Sequence, residues 1–229
     1  MYIVFDFDGT IHDTSALFMP ALGDTVKWLN GAAPDVAVER VPDAAEVGWR
    51  LGSDARGLWR AIAADIDDET ADACVEHMRG RILERARAGE AKLYPGAAET
   101  LDALTGEGHV LALLSNCRTA YLETFREVLD LERWFAHLWC GEDFGWVPKS
   151  EIFARVQGEL EGGVGADGGA AGGCIVVGDR ATDIDIAVAG GYRSVGCAYG
   201  YGADGELGNA DVIAWEPLKL EAAIRQCMR

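Results

Sequence analysis

Hydrophobic residues in this chain fall either into short unbroken runs or into runs spaced at helical intervals. The first unbroken run lies in residues 1–8 and predicts a strand that is covered on both faces. Further runs predict strands at 109–114, 138–140, 174–177, 194–198 and 211–213. Helical segments separate these runs, which implies right-handed βαβ units. We therefore predict an α/β fold with a Rossmann-like, open parallel sheet.

A long stretch after the first strand carries only helical spacing. Hydrophobic positions recur every three or four residues at Val75, Met78, Ile82 and Ala86. The acidic residues 67–69 precede this helix, and Gly89 is placed to end it. A second amphipathic helix is indicated by Leu58, Ile62 and Ile66, with Ser53 or Asp54 as its N-cap. We therefore predict an all-helical cap domain, residues 15–92, inserted into a core domain made of residues 1–14 and 93–229.

A glycine-rich segment follows a helix predicted from Lys149 to about Leu160. Half of the residues between Gly158 and Gly173 are glycine. Glycine loses much backbone entropy on ordering, so we expect neither a good helix nor a good strand there. The segment is either a mobile lid or a solvated surface loop.

Composition narrows the range of partners. The 229 residues carry a formal net charge of −18, which argues against nucleic acid and anionic membranes as partners. We read no membrane-spanning stretch and no signal peptide. The six cysteines include no C-x-x-C pair, so we expect reduced thiols in a cytoplasmic protein.

The first strand ends in two carboxylates, Asp6 and Asp8, followed by a Gly-Thr turn. Like charges so close repel each other unless a cation lies between them. A hard divalent cation such as Mg²⁺, bound by oxygen ligands, is the economical explanation. One carboxylate is then available to attack and the other to move protons.

Other polar residues follow other predicted strands. They are Ser115 and Asn116 after the second strand, and Asp179 and Asp183 after the strand at 174–177, while Lys149 begins a helix on the same side. Parallel sheets place their sites at the carboxyl ends of the strands, so these residues are expected to converge. Such convergence is more specific than any single motif.

Four segments resemble, in order, the motifs of the haloacid dehalogenase-like phosphatases. They are Asp6-Phe7-Asp8-Gly9-Thr10, Leu114-Ser115-Asn116, Pro148-Lys149-Ser150 and Val177-Gly178-Asp179-Arg180-Ala181-Thr182-Asp183. Tyr94-Pro95-Gly96 and Ala198-Tyr199-Gly200-Tyr201-Gly202 further resemble the phosphoglycolate phosphatase-like subgroup, which carries an α-helical cap after the first strand. The resemblance spans the core and is weak in residues 15–92.

The resemblance implies a role for each matching residue. Asp6 is expected to be the nucleophile that forms an aspartyl-phosphate, and Asp8 the general acid and base. The haloalkanoate-cleaving relatives lack the second aspartate, so Asp8 favours phosphoryl chemistry. Mg²⁺ is expected to bind the Asp6 carboxylate, the Asp8 main-chain carbonyl and Asp179. Asp183 is expected either to be a further ligand or to contact the groups that bind the ion. The resemblance also implies phosphate binding by Ser115, Lys149 and the backbone N–H groups of Phe7, Asp8 and Asn116.

Some residues depart from the family pattern. Ser150 follows Lys149 where proline is usual, and Arg180 stands where a small hydroxyl residue is frequent. Arg180 is expected to pair with a nearby acid. His12 either faces the leaving group or is a partly buried structural histidine. In the cap, we hypothesise that Arg50 or Arg56 contacts the substrate.

The leading hypothesis is a Mg²⁺-dependent phosphatase that acts on a small phosphorylated metabolite. A phosphosugar mutase of the β-phosphoglucomutase kind uses the same core and stays open as an alternative. A non-catalytic phosphate-binding module is the third reading, which has no use for a nucleophile and acid pair. The sequence leaves the substrate open, and leaves both a monomer and a homodimer possible.

Overall fold

The computed structural model describes residues 1–47, 55–63, 65–161 and 173–229. The strands are β1 (Tyr2–Phe5), β2 (Val110–Ser115), β3 (Phe135–Cys140), β4 (Cys174–Gly178), β5 (Arg193–Cys197) and β6 (Val212–Ala214). The helices are α1 (Ser15–Ala32), α2 (Ala44–Val47), α3 (Ala55–Ile62), α4 (Asp68–Arg85), α5 (Ala97–Gly106), α6 (Thr119–Val128), α7 (Lys149–Glu161), α8 (Ala181–Gly190) and α9 (Leu220–Cys227). The predicted fold class is confirmed: a parallel sheet with flanking helices and an inserted helical segment.

The sheet has the strand order β3-β2-β1-β4-β5-β6, and every neighbouring pair is parallel. β1 lies in the interior, where Phe5 aligns with Leu113 of β2 and with Val177 of β4. Along the chain, β2 and β3 first extend the sheet on one side of β1, and β4, β5 and β6 then extend it on the other side. A parallel sheet forms a crevice at such a switch point, beyond the carboxyl ends of the strands.

Strands in the middle of the sheet are apolar because helices cover them. Ile3, Val4 and Phe5 are at most 1% exposed. One core cluster joins β1, β2, β3 and β4 to α7 and α8, and comprises Val4, Ala112, Leu114, Trp139, Ile152, Phe153, Val156, Val176, Ile186 and Ala187. This packing fixes the starts of α7 and α8 close to the strand ends.

Contacts within the chain define two compact units. The core unit comprises Met1–His12 with Leu93–Arg229, and the helical unit comprises Asp13–Lys92. In the helical unit α1 and α3 both pack on α4. The predicted start of α4 is confirmed because the Asp67 side chain accepts a hydrogen bond from the Thr70 N–H, 2.7 Å away. The turn after α4 contains Gly89 at φ 84°, so this predicted stop is confirmed as well.

Two predicted boundaries are wrong, and the expectation that the glycine-rich segment forms no helix is wrong at its start. β1 ends at Phe5 instead of running to residue 8, because the carbonyl of Phe7 accepts hydrogen bonds from the following turn. α3 ends at Ile62, so Ile66 lies outside it, in a turn closed by its N–H to the carbonyl of Ala63. The glycine-rich segment is helical at its start, since α7 continues to Glu161.

Several predictions fall on residues that the structure does not describe. They are the N-cap at Ser53 or Asp54, the Arg50 side chain and the glycine-rich residues 162–172. Within the described ranges, the helices are too short or too polar to cross a bilayer.

Candidate active site

The turn after β1 carries Asp6 and Asp8 away from the sheet. The Phe7 carbonyl accepts hydrogen bonds from the N–H groups of Ile11 and His12, both at 3.0 Å. Phe7 itself is fully buried. The turn therefore holds the backbone of Phe7 in place. It also fixes the backbone positions from which the Asp6 and Asp8 side chains extend.

A buried lysine joins two of the predicted acidic residues. The Lys149 Nζ donates to Asp6 Oδ1 at 2.5 Å and to Asp183 Oδ1 at 2.6 Å. All three side chains are less than one-tenth exposed. Lys149 is the first residue of α7, so the core packing of that helix sets the position of the ammonium group. The structure thus brings together residues far apart in the sequence.

Asp6, Asp179 and Asp183 form a buried group that we call the acidic trio. One carboxylate oxygen from each residue lies within 4.8 Å of the other two. Asp179 Oδ2 accepts a hydrogen bond from the Tyr201 N–H at 2.7 Å. Asp179 Oδ1 is buried and has no hydrogen-bond partner among the described residues. An orphaned carboxylate oxygen beside two more carboxylates fits a hard divalent cation such as Mg²⁺.

The electrostatics of the acidic trio agree with this fit. Burial raises the pKa of Asp6 well above its usual value; Lys149 opposes the shift, while Asp183 and Asp179 add to it. Burial, with a contribution from Asp183, also raises the pKa of Asp179 to about 7. Burial alone lowers the pKa of Lys149, but Asp183 and Asp6 outweigh it and raise the pKa. Three carboxylates facing one ammonium leave negative charge that a further cation neutralises.

Two glycines make room for these aspartates. A Cβ added at Gly178 would lie 2.3 Å from Asp183 Cγ, and a Cβ added at Gly200 would lie 2.3 Å from Asp179 Cβ. Both distances are far below van der Waals contact, so no larger residue fits without moving the carboxylate. The close neighbour of Gly178 is the Asp183 side chain.

Asp8 has different surroundings, although it lies two residues from Asp6. Its Oδ1 accepts a hydrogen bond from the Tyr121 hydroxyl at 2.8 Å and lies 2.9 Å from His12 Nδ1. Its side chain is 26% exposed, and it does not belong to the acidic trio. Burial, and then the charge of Asp8, raise the pKa of Tyr121 above its usual value. The tyrosine therefore keeps its proton and donates it in this hydrogen bond.

The predicted phosphate-binding residues follow β2. Ser115 ends this strand and is 2% exposed, and its carbonyl accepts from the Gly141 N–H at 2.9 Å. Since Leu113 aligns with Phe5, the parallel register places Ser115 beside the turn at Phe7. Asn116 is exposed and packs over Gly141. A Cβ added at Gly141 would lie 2.5 Å from Asn116 Oδ1. The structure therefore places both residues at the same edge as Asp6.

The remaining predicted residues lie in other settings. Arg56 is exposed in the helical unit and donates two hydrogen bonds to Asp72. Arg180 pairs with Glu206 at 2.9 Å, which confirms its expected pairing with an acid. His12 is fully buried against Asp8. Substrate contact by Arg50, Arg56 or His12 stays a prediction.

Sequence reasoning missed Tyr121, Glu206 and the part that the Tyr201 N–H plays at Asp179. Tyr121 lies in the first turn of α6, and helices that follow parallel strands begin near the site, so its position carried a usable signal. Glu206 also accepts from the Ala181 N–H at 3.0 Å at the start of α8. It lies far from Asp179 in the sequence, and no pattern marks it.

Comparisons with known proteins identify the family of this chain. A family model described as haloacid dehalogenase-like hydrolase matches residues 1–191. A phosphoglycolate phosphatase from Agrobacterium fabrum is 31% identical over 86% of this chain and 80% of its own length, and one from Escherichia coli K12 is 28% identical over 92% and 87%. Among solved structures, a haloacid dehalogenase-like family hydrolase from Streptococcus pneumoniae has a TM-score of 0.72 at 22% identity and covers 97% of both chains. At this sequence identity, the structural likeness shows the fold alone.

Proposed function

The chain belongs to the haloacid dehalogenase-like hydrolase family and hydrolyses phosphoric monoesters, and from that premise we propose a Mg²⁺-dependent phosphatase that uses an aspartyl-phosphate. Its proposed substrate is a small phosphorylated metabolite of the phosphoglycolate type, since relatives at 31% and 28% identity are phosphoglycolate phosphatases. The helical unit is proposed as the cap domain. A cytoplasmic location is proposed with it, as expected for a chain of free cysteines.

One observation carries the proposal. Asp6 lies in the acidic trio and against Lys149, whereas Asp8 lies outside the trio and against Tyr121. A nucleophile needs a cationic environment that lets it approach an anionic phosphoryl group. A general acid needs to exchange protons with the leaving group, away from that environment. The two environments therefore support two different roles.

The proposed reaction has two halves. In the first, an Asp6 oxygen attacks phosphorus, the new O–P bond forms, and the bond to the leaving oxygen breaks. Asp8 gives its proton to that oxygen, so an alcohol departs and Asp6 carries the phosphoryl group. In the second, Asp8 takes a proton from water, which attacks phosphorus and releases inorganic phosphate from Asp6.

Other groups in the site support these steps. A magnesium ion held by Asp6, Asp179, the Asp8 carbonyl and Asp183 would neutralise charge on the phosphoryl group. Lys149 is already placed against Asp6, so its ammonium is proposed to pair with a phosphoryl oxygen as well. Ser115 and the N–H groups of Phe7, Asp8 and Asn116 are proposed to donate to the remaining oxygens.

The test is a panel of phosphomonoesters assayed with Mg²⁺ and with EDTA. We expect hydrolysis that EDTA abolishes, with kcat/KM highest for small carboxylated or sugar phosphates. Asp6→Asn should reduce turnover by about 10⁴-fold or more, because the nucleophile is lost. Intact mass after acid quenching should show one phosphoryl group on the wild-type protein and none on the variant.

Asp185→Asn is the matched control, because Asp185 is exposed on α8 and undergoes the same change of charge. It should keep wild-type kcat/KM. Hydrolysis by folded Asp6→Asn at the wild-type rate would refute the proposal. An isomeric sugar phosphate formed without release of inorganic phosphate would replace it with the mutase.

A further inference from the structure

The Asp8 carboxylate is contacted by two side chains to which the two halves of the proposed reaction assign no step. Tyr121 and His12 both contact the same oxygen, Oδ1, at 2.8 and 2.9 Å. While Oδ1 carries no proton it only accepts hydrogen bonds, and the His12 Nδ1 is then the donor in this contact. Two donors on one oxygen fix the plane of the carboxylate and favour the other oxygen, Oδ2, as the one that carries the proton.

Both donors are themselves held firmly. The His12 ring is fully buried, stacks on Phe7 with 4.8 Å between ring centroids, and meets the Phe125 ring at 4.6 Å. The Tyr121 ring packs on the same Phe125 at 4.4 Å. Aromatic contacts of this kind restrict ring rotation. The Phe7 and Phe125 rings therefore restrict the orientation of both donors, and the donors in turn restrict the orientation of the Asp8 carboxylate.

Asp8 needs such support because of its neighbours. It lies two residues from Asp6, and the acidic trio is a strong attractor for any cation. A fourth carboxylate turned toward that cation would become a ligand and lose its use in proton transfer. Hydrogen bonds from Tyr121 and His12 stabilise a carboxylate that stays out of the trio.

We propose that Tyr121 and His12 are positioning residues that keep Asp8 outside the acidic trio and oriented for proton transfer. This inference rests on the proposed function, in which Asp8 is the general acid and base. Its consequence concerns the leaving group. An alkyl oxygen must be protonated as it departs, whereas p-nitrophenolate departs without help, so only alkyl phosphates need a well-placed Asp8.

The experiment compares single-turnover release of the leaving group from two substrates. One is an alkyl phosphate that the wild-type enzyme hydrolyses in the panel above, and the other is p-nitrophenyl phosphate. Tyr121→Phe removes only the hydroxyl and should slow release from the alkyl phosphate about ten-fold or more, with less than about three-fold change for p-nitrophenyl phosphate. Tyr192→Phe, which loses a hydroxyl contact to Gln157, is the matched control and should change neither rate.

His12 provides a rescue test. His12→Leu removes the donor and should reproduce the selective loss on the alkyl phosphate. His12→Asn places an amide N–H near the position of Nδ1 and should recover at least half of the lost rate. An equal loss on both substrates for Tyr121→Phe would overturn the inference in favour of a purely structural role.

The two hypotheses fail in different ways. If Asp6→Asn still turns over, the proposed function fails. If Asp6→Asn is inactive and Asp8→Asn shows the selective loss, but Tyr121→Phe and His12→Leu match the wild type on both substrates, only the positioning inference fails.

Discussion

Asp6 and Asp8 have the same side chain, yet the structure gives them opposite surroundings. Asp6 is buried against Lys149 at 2.5 Å, and Asp8 is partly exposed against Tyr121 at 2.8 Å. The environment of a carboxylate sets its proton affinity and its access to cations. At the residue scale, the division of labour between the two groups therefore comes from their neighbours and not from their own chemistry.

The position of Asp179 depends on Gly200, which leaves room for its side chain. In Gly200→Ala, the new Cβ would lie 2.3 Å from Asp179 Cβ and 2.6 Å from the Gly9 carbonyl oxygen. We expect Asp179 to move, with a stability cost of about 1–3 kcal/mol. Mg²⁺ binding, followed by a thermal-shift titration, should weaken about ten-fold or more.

The control for this variant is Gly80→Ala. Gly80 is exposed in α4, and a Cβ there has open space around it. Alanine should stabilise the helix by about 0.5–1 kcal/mol and leave Mg²⁺ binding unchanged. Wild-type Mg²⁺ affinity in Gly200→Ala would contradict the role of this close approach.

At the element scale, the site is built from three strand ends and three helix starts. β1, β2 and β4 are neighbours in the sheet, and they deliver Asp6, Ser115 and Asp179 to one edge. α6, α7 and α8 begin at that edge and add Tyr121, Lys149 and Asp183. Parallel pairing makes this convergence unavoidable, because all carboxyl ends point the same way.

The helical unit has an ion cluster that joins α1 to α4. Asp24 Oδ2 accepts from Arg85 at 2.7 Å and from Arg81 at 3.0 Å. The Arg85 hydrogen bond lowers the pKa of Asp24; burial opposes this, and Arg81 adds to it. A carboxyl with a lowered folded-state pKa stabilises the fold above its unfolded pKa of about 3.9, and this contribution disappears as pH falls through the folded pKa.

Asp24→Asn should therefore cost about 1 kcal/mol at pH 7, and the cost should shrink toward zero as the pH approaches about 3. Urea unfolding of wild type and variant across this range measures the difference. Asp35→Asn, at an exposed position of the same unit, should cost almost nothing at any pH. A cost for Asp24→Asn that does not change with pH would mean that packing, not charge, is responsible.

At the scale of the whole molecule, the net charge opposes the proposed substrate. The chain carries a formal charge of −18, and a phosphomonoester is an anion. Lys149 and a bound cation act only at short range, while the surface charge acts over the screening length. The protein field is therefore expected to slow the arrival of substrate.

Raising KCl from about 10 to about 100 mM shortens the screening length from roughly 30 to 10 Å. At saturating Mg²⁺ we expect kcat/KM to rise about two-fold or more, because repulsion is screened. Choline chloride should act in the same way, which excludes a specific effect of potassium. A fall in kcat/KM would show that local positive charge dominates the approach of substrate.

Much of the fold could be predicted from local patterns. The unbroken hydrophobic run that contains Ile3 reflects a strand buried on both faces. The helical spacing around Met78 reflects a helix buried on one face, and both patterns can be read from neighbouring residues in the sequence. Boundaries were less certain because turn contacts decide them. The carbonyl of Phe7, which closes the turn after β1, is one such contact.

The sequence by itself determined the fold class and the residue types at the strand ends, because order along the chain and hydrophobic spacing are enough to specify them. Only the tertiary structure decided the further partners: Asp183 on Lys149, and Tyr121 on Asp8. These contacts join residues 34 and 113 positions apart. Their geometry depends on how helices pack against the sheet, and that is a property of the whole core.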